Sequence, residues 1–181
     1  MKFVILYRAT LFPMKNIEIR TAKPSDLLVI EALAQIIWRE HYTPIIGPDQ
    51  VEYMLAKYQS VAAMQEQINS GYSYYLMVVQ EIPVGYLSLR LNAHAVFLSK
   101  IYVLKEQRGR GIARAAMNFV ISETTRAGLG LITLTVNKNN TGSIHAYEKM
   151  GFVNKGSIVT EIGEGFVMDD FVMEMELRQT F

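Results

Sequence analysis

The chain has no cysteine in its 181 residues. Disulfides, zinc–thiolate centres and a cysteine nucleophile are therefore excluded, and the composition fits a reducing, cytoplasmic setting. An excess of one charge is missing too: 18 Lys and Arg face 17 Asp and Glu, a net charge of +1. A general nucleic-acid surface needs more than that, so any basic patch must be local. The three histidines (His41, His94, His145) lack ligand spacing, so no metal site is expected. A membrane-spanning run is missing as well. The apolar stretch in Met1–Pro13 is interrupted by Arg8, too short to span, and has no small-residue cleavage site. Two phosphate-binding signatures are also lacking. Gly-x4-Gly-Lys-Ser/Thr does not occur, which removes a nucleoside-triphosphate P-loop. The Gly109-x-Gly111 pair has Arg114 at the third fingerprint position and lies past mid-chain, against a dinucleotide-binding Rossmann unit.

What remains is half apolar, enough for one compact domain with a substantial core. Its most informative segment is Tyr102–Phe119, Y-V-L-K-E-Q-R-G-R-G-I-A-R-A-A-M-N-F. An apolar strand, Val96 to Val103, runs into a basic loop with two glycines that opens into an amphipathic helix. Such a junction gathers free backbone N–H groups and the positive end of a helix, which suits a phosphate. Lys105, Arg108, Arg110 and Arg114 outweigh Glu106. The core string Arg108-x-x-Gly111-x-Ala113 is weak alone, arising by chance about once per thousand positions. A plain glycine-rich turn on a charged surface is the competing reading. The flanks favour the phosphate: Ile112, Ala116, Phe119 and Val120 share one helix face, while Arg114, Asn118, Ser122 and Arg126 share the other.

Alternation in Lys15–Arg20 marks a first strand. Pro24-Ser25-Asp26 starts a helix, with Ser25 or Asp26 as cap, that ends near Glu40 because Pro44 and Gly47-Pro48 break the chain. Asp49–Tyr58 and Ser60–Ser70 read as two more helices. Strands follow at Tyr72–Gln80 and Val84–Leu91, joined at Glu81-Ile82-Pro83, and at about His94–Leu104 before the glycine loop and its helix. Leu131–Val136 is a strand, Ser143–Met150 a helix closed by Gly151, and Phe152–Thr160 and Phe166–Leu177 are the last strands. The order β-α-α-α-β-β-β-α-β-α-β-β implies a single α/β domain, a mixed sheet with helices on both faces. Tyr147 lies at helical spacing beside Ile144 and Met150, and spacing alone makes it a packed ring with its polar tip outward.

Three segments in this order resemble the GNAT superfamily of N-acetyltransferases: R-G-R-G-I-A at Arg108–Ala113, V-N-K-N-N at Val136–Asn140, and I-H-A-Y-E-K-M-G-F at Ile144–Phe152. The resemblance covers most of Ile17 to Leu177. It implies a largely antiparallel sheet of the α+β kind, splayed between two central strands at the acetyl-coenzyme A (acetyl-CoA) site. It also implies that Tyr102 and Val103 line the strand end along the pantetheine arm. Backbone groups of Arg108, Gly109, Arg110, Gly111, Ile112 and Ala113 would hold the pyrophosphate, the arginine side chains would lie near the outer phosphates, and Asn140 would bond the arm. Tyr147 matches the tyrosine that faces the coenzyme sulfur. A phenol pKa of about 10 lies above a thiol pKa of about 8.5, so a neutral phenol is available to the leaving thiolate. With the resemblance, the catalytic reading of Tyr147 is preferred.

One departure concerns the base. Many members carry a Glu on the strand before the glycine loop, yet no acid occurs between Glu81 and Glu106, and the corresponding position falls near Phe97. Glu40, His41, His94, Asp169, Asp170 or ordered water remain as proton acceptors, and each carboxylate taken singly reads more simply as a surface charge. Trp38–Leu55 and Gly163–Leu177 resemble bacterial acetyltransferases grouped with the spermine/spermidine type. That implies a polyamine or other small amine, held by Glu40, His41, Asp169 and Asp170, with Asp49 and Glu52 as further carboxylates and Trp38, Tyr42, Tyr53 and Phe171 as aromatic walls. Acetylation of a protein N-terminus or lysine, and a non-catalytic coenzyme A sensor, are the alternatives. No nucleic acid, membrane or metal partner is expected, and a homodimer is compatible. Met14 precedes the first strand, so residues 1–13 are expected to be an N-terminal extension and 14–181 the acetyltransferase domain.

Overall fold

The computed structural model describes residues 17–177. The expected extension, with Lys15 and Asn16 of the expected first strand, lies outside them. Seven strands form one sheet: β1 (Ile17–Thr21), β2 (Tyr72–Val79), β3 (Ile82–Leu91), β4 (Val96–Val103), β5 (Leu131–Asn137), β6 (Val153–Gly163) and β7 (Phe166–Glu176), in the spatial order β1-β2-β3-β4-β5-β7-β6. Every pairing is antiparallel except β4 with β5. Five helices complete the domain: α1 (Leu27–Ile46), α2 (Pro48–Tyr58), α3 (Val61–Asn69), α4 (Ile112–Arg126) and α5 (Thr141–Lys149). Among the described residues no helix is long and apolar enough to cross a membrane.

Two apolar cores flank the sheet. On one face α1–α3 bury Ile30, Ile37, Leu55 and Met64 against Leu76 and Tyr86. On the other, α4 buries Ile112, Ala116 and Val120 against Leu87, Leu98 and Leu134, with Ile144 and Tyr147 of α5 packed alongside. The expected element order and the two-faced mixed sheet are therefore both present.

Three local expectations shift. Helix α1 continues past Glu40 and through Pro44 to Ile46. A proline in the final turn removes only one intrahelical N–H, and the helix stops instead at Gly47, whose φ of 83° favours glycine. Neither Ser25 nor Asp26 caps α1 with its side chain. Pro24–Asp26 is a 3-10 turn closed by the Asp26 carboxylate, which accepts from the Lys23 N–H at 2.7 Å and from Arg20 at 2.7 and 3.0 Å. The β2–β3 turn sits at Gln80-Glu81, both with positive φ, the geometry of a two-residue hairpin turn. Ile82 then pairs with Val79, and the strand shifts register where Pro83 faces Val78. Helix α3 starts as expected, the Ser60 hydroxyl accepting from the Ala63 N–H at 3.3 Å.

Candidate active site

The parallel strands β4 and β5 pair only at Val96↔Ile132 and Phe97↔Thr133. Beyond those positions they diverge. The β5-facing edge of β4 from Leu98 to Val103 has no strand partner, which in a closed sheet would cost its hydrogen bonds. A cavity of about 710 Å³ fills the divergence, lined by β4 from Phe97 to Val103 and by Thr135, Val136 and Asn137 of β5.

At the end of β4 the glycine loop meets α4. Gly109 and Gly111 adopt φ of 73° and 83°, and a Cβ on either would meet no heavy atom within 4 Å. The requirement for glycine is thus conformational, with open space beyond. The first helical bond runs from the Ala115 N–H to the Gly111 carbonyl at 2.9 Å, which leaves the N–H groups of Ile112, Ala113 and Arg114 at the helix mouth. Gly111 offers no side-chain cap. The Ile112 side chain is buried in the α4 core, so its backbone is anchored. A hollow of about 430 Å³ lies over this loop, lined by Arg108, Gly109 and Gly111–Arg114. Anion-seeking amides around open space, continuous with an unpaired strand edge, fit the pyrophosphate and pantetheine arm of acetyl-CoA.

The arginines behave differently from expectation. Arg108 folds back: its Nε donates to the Val103 carbonyl at 3.0 Å and its Nη1 lies 3.4 Å from His41 Nδ1. It braces the strand end and does not extend outward. Arg110 reaches Gln107 Oε1 at 3.2 Å.

Behind the loop, four functional candidates share the cavity wall: His41, Asn140, Tyr102 and Tyr147. Asn140 is buried at the N-terminus of α5, and its Oδ1 is 3.2 Å from His41 Nε2. These partners assign the neutral imidazole with its proton on Nε2, leaving Nδ1 to accept from Arg108. Burial first, then the Arg108 charge, lowers the His41 pKa, so the ring stays neutral with both nitrogens engaged. Tyr147 packs edge-on against Phe152 at 5.5 Å while lining the cavity. Burial raises its pKa, so it stays a neutral phenol. Its ring is packed as the spacing predicts, and the residue lines the same cavity as Asn140 and Tyr102.

The far wall is aromatic. Trp38 stacks on Tyr42 at 4.5 Å, and Tyr102 meets Trp38, Tyr42 and Tyr86 edge-on or tilted. Burial raises the Tyr42 pKa to about 12. Of the other expected wall residues, neither Tyr53 nor Phe171 lines the cavity; Tyr53 packs on Phe166 and Phe171 lies under Lys138.

The expected carboxylates are mostly elsewhere. Only Asp170 lines the cavity. It is 8% exposed, and its pKa is raised mainly by burial. Glu40 pairs with Lys105 at 3.2 Å, Glu52 with Arg39 at 2.6 Å, and Asp169 with Lys138. Long charged side chains on a surface find a countercharge there, so Glu40 and Asp169 belong to surface ion pairs and do not reach the site.

Sequence reasoning missed Lys100. It is 6% exposed, lines the cavity, and donates to Gln67 Oε1 at 2.7 Å. Burial lowers its pKa to about 8. A register shift in β4, between Ser88/Leu89 and their partners, turns it there. Before the shift Val96 and Leu98 face the α4 core; after it Ile101 and Val103 do, and Lys100 and Tyr102 face α1–α3. The only signal in the sequence was a lone lysine inside an apolar strand.

A profile of the "Acetyltransferase (GNAT) family" matches residues 30–152. No curated protein sequence matches the chain. Among solved structures, the PaiA N-acetyltransferase from Thermoplasma acidophilum in complex with coenzyme A superposes with a TM-score of 0.75 at 21% identity, covering 89% of this chain and 99% of that one. A chimera of spermidine N-acetyltransferase SpeG from Vibrio cholerae and hSSAT gives 0.67 at 23% identity, covering 88% and 95%. At these identities the likeness speaks for the fold, and the profile match over most of the chain speaks for descent. With the splayed strands and amide-lined helix mouth in place, the chain belongs to the GNAT family of acetyltransferases, enzymes that use acetyl-CoA.

Proposed function

We propose that the protein transfers the acetyl group of acetyl-CoA to a primary amine of a small molecule bound in the cavity between the splayed strands. One observation carries this reading: the cavity that contains the unpaired edge of β4 also contains the Tyr147 phenol and one buried acid, Asp170. The expected backbone set is Arg108 to Ala113, but the Arg108 N–H is bonded to the Lys105 carbonyl at 3.1 Å. The amides from Gly109 onward, with that of Arg114 added at the helix mouth, therefore hold the pyrophosphate, and Asn140 and the edge of β4 at Tyr102 and Val103 hold the arm. Bound acetyl-CoA supplies an activated acetyl group and departs as a thiolate. Tyr147, kept neutral by burial, donates a hydrogen bond to that sulfur.

The amine must lose a proton. At pH 7 an amine of pKa about 10.4 is neutral about once in 2,500 molecules, roughly 4.6 kcal/mol uphill. Asp170 receives the ammonium and its proton, because burial brings its pKa closer to that of the amine than an exposed carboxylate would be. His41 is a poorer candidate with both nitrogens engaged.

A cavity of about 710 Å³ suits a small molecule better than a protein terminus or lysine, which calls for an extended groove. The presence of Tyr147 and Asp170 in one cavity favours an enzyme over a coenzyme A sensor. A polyamine is one candidate because a structure of this fold bears the name of a spermidine N-acetyltransferase. A cysteine-free chain suits a cytoplasmic enzyme. The test is free-thiol release from acetyl-CoA across a panel of primary amines, read with N-acetyl product by mass. Thiol and product should rise together. Tight acetyl-CoA binding without thiol release for any amine would turn the reading to the sensor.

A further inference from the structure

We infer that the acceptor is an amine that carries a carboxylate, with Lys100 binding the carboxylate and Asp170 the ammonium. The inference rests on the acetyl-transfer reading and names the substrate class of the same site.

Three side chains form a row across the α1–α3 face of the sheet: Tyr74 on β2, Ser88 opposite it on β3, and Lys100 opposite Ser88 on β4. All three are buried. The row holds one cation and two hydroxyls but no anion. Gln67 Oε1 accepts from both the Tyr74 hydroxyl at 2.6 Å and Lys100 Nζ at 2.7 Å. The Gln67 amide nitrogen donates to the Tyr58 carbonyl at 3.1 Å, so the amide cannot turn to offer anything more. The Ser88 hydroxyl has no partner. An ammonium has three N–H donors, and Lys100 uses one of them.

Lys100 also lacks a countercharge. No carboxylate lies within 4 Å of it among the described residues. The rings of Tyr72 and Tyr74, 5.9 and 5.4 Å from Nζ, favour a cation there. Burying a cation with one neutral acceptor is costly unless a ligand completes it. A pKa lowered to about 8 still leaves the amine mostly protonated at neutral pH.

The remaining charges in the cavity narrow the ligand. Arg108 and His41 are held by each other, by Val103 and by Asn140. Arg108 keeps its charge but also lines the hollow over the glycine loop, on the proposed coenzyme side. On the acceptor side the charges are therefore one cation, Lys100, and one anion, Asp170, on opposite sides of the strand divergence. One of each sign matches an amino acid-like zwitterion. A polyamine would bring a second ammonium beside Lys100, and one lysine matches the single charge of a carboxylate better than a phosphate dianion.

The experiment compares matched pairs in the thiol-release assay: phenylalanine with phenethylamine, ornithine with putrescine, lysine with cadaverine, and spermidine as reference. The acid member of a pair should lead in kcat/KM by about 10-fold or more, the scale of a charge-assisted hydrogen bond. Lys100→Met should collapse that ratio towards one by raising KM for the acid, and Lys100→Arg should keep most of it. Retained acetyl-CoA affinity shows that each variant is folded. The inference is overturned if decarboxylated amines or spermidine lead, or if Lys100→Met leaves the ratio unchanged. Absence of thiol release with every amine by a protein that binds acetyl-CoA would instead remove the acetyl-transfer reading beneath it.

Discussion

The proposed donor side of the cavity is made of main chain, and the proposed acceptor side of side chains drawn from α1, α3, β2, β4 and β7. On the donor side, two left-handed glycines and the open end of α4 present amides to a phosphate. On the acceptor side, Lys100 meets Gln67, Tyr72 and Tyr74 only because α3, β2 and β4 pack together and β4 shifts register. Main-chain sites tolerate side-chain change and fail when the backbone conformation is disturbed. Side-chain sites do the reverse. That contrast can be broken first at Gly85, the residue on which both sides depend.

Gly85 lies behind the end of β4. A Cβ there would be 2.3 Å from the Tyr102 carbonyl oxygen and 3.1 Å from Val103 Cα, so the backbone of β3 or β4 must move. Gly85→Ala should destabilise the protein by about 3 kcal/mol or more and weaken both acetyl-CoA binding and turnover. Urea unfolding measures the first. Near-normal stability would mean that the strand end is compliant and the two sides need not share a rigid support.

Gly111→Glu separates them. Its φ of 83° penalises any side chain, but the added Cβ meets nothing within 4 Å. Folding should cost about 1–2 kcal/mol. A carboxylate at the helix mouth should weaken acetyl-CoA by about 100-fold or more through repulsion of the pyrophosphate. Calorimetry reads the affinity directly. A folded variant with normal affinity would remove the loop from the donor site.

Lys100→Met probes the acceptor side without ligand. The ordinary lysine pKa of 10.5 falls to about 8 on folding. Between pH 8 and 10.5 the unfolded chain therefore binds more protons than the folded one, and wild-type stability rises with pH in that window relative to the variant. Below pH 8 the wild type bears the full cost of the buried cation. The variant should be more stable near neutrality, by up to about 3 kcal/mol, and the gap should close as pH rises towards 10.5. Paired thermal melts across that range check it. A pH-independent difference would mean that Lys100 is not held in the low-dielectric site described.

This contrast also explains what could be read from the chain. A backbone requirement is recorded as glycine at fixed spacing, so Arg108–Ala113 and the helix after it were legible, as was the order of strands and helices. Tyr147 and Asn140 were reached through motifs, and both line the cavity. Pro44 misled because breaking power depends on place: in a last turn it removes one bond, and Gly47 ends the helix. Lys100 was hidden because its partner Gln67 lies 33 positions away, and because simple alternation from Val96 and Leu98 assigns position 100 to the α4 core. One shifted register reverses its face. Glu40 and Asp169 misled for a related reason: a sequence shows charge without showing whether a nearer lysine claims it.

The most direct measurement is pre-steady-state acetyl transfer by Tyr147→Phe. The change deletes one oxygen and leaves the ring's packing against Phe152 in place. With Tyr147 facing the departing sulfur, the chemical step should slow by about 100-fold while acetyl-CoA affinity stays close to wild type. A chemical step of near wild-type rate would contradict the assigned role and leave Tyr147 as a packing residue.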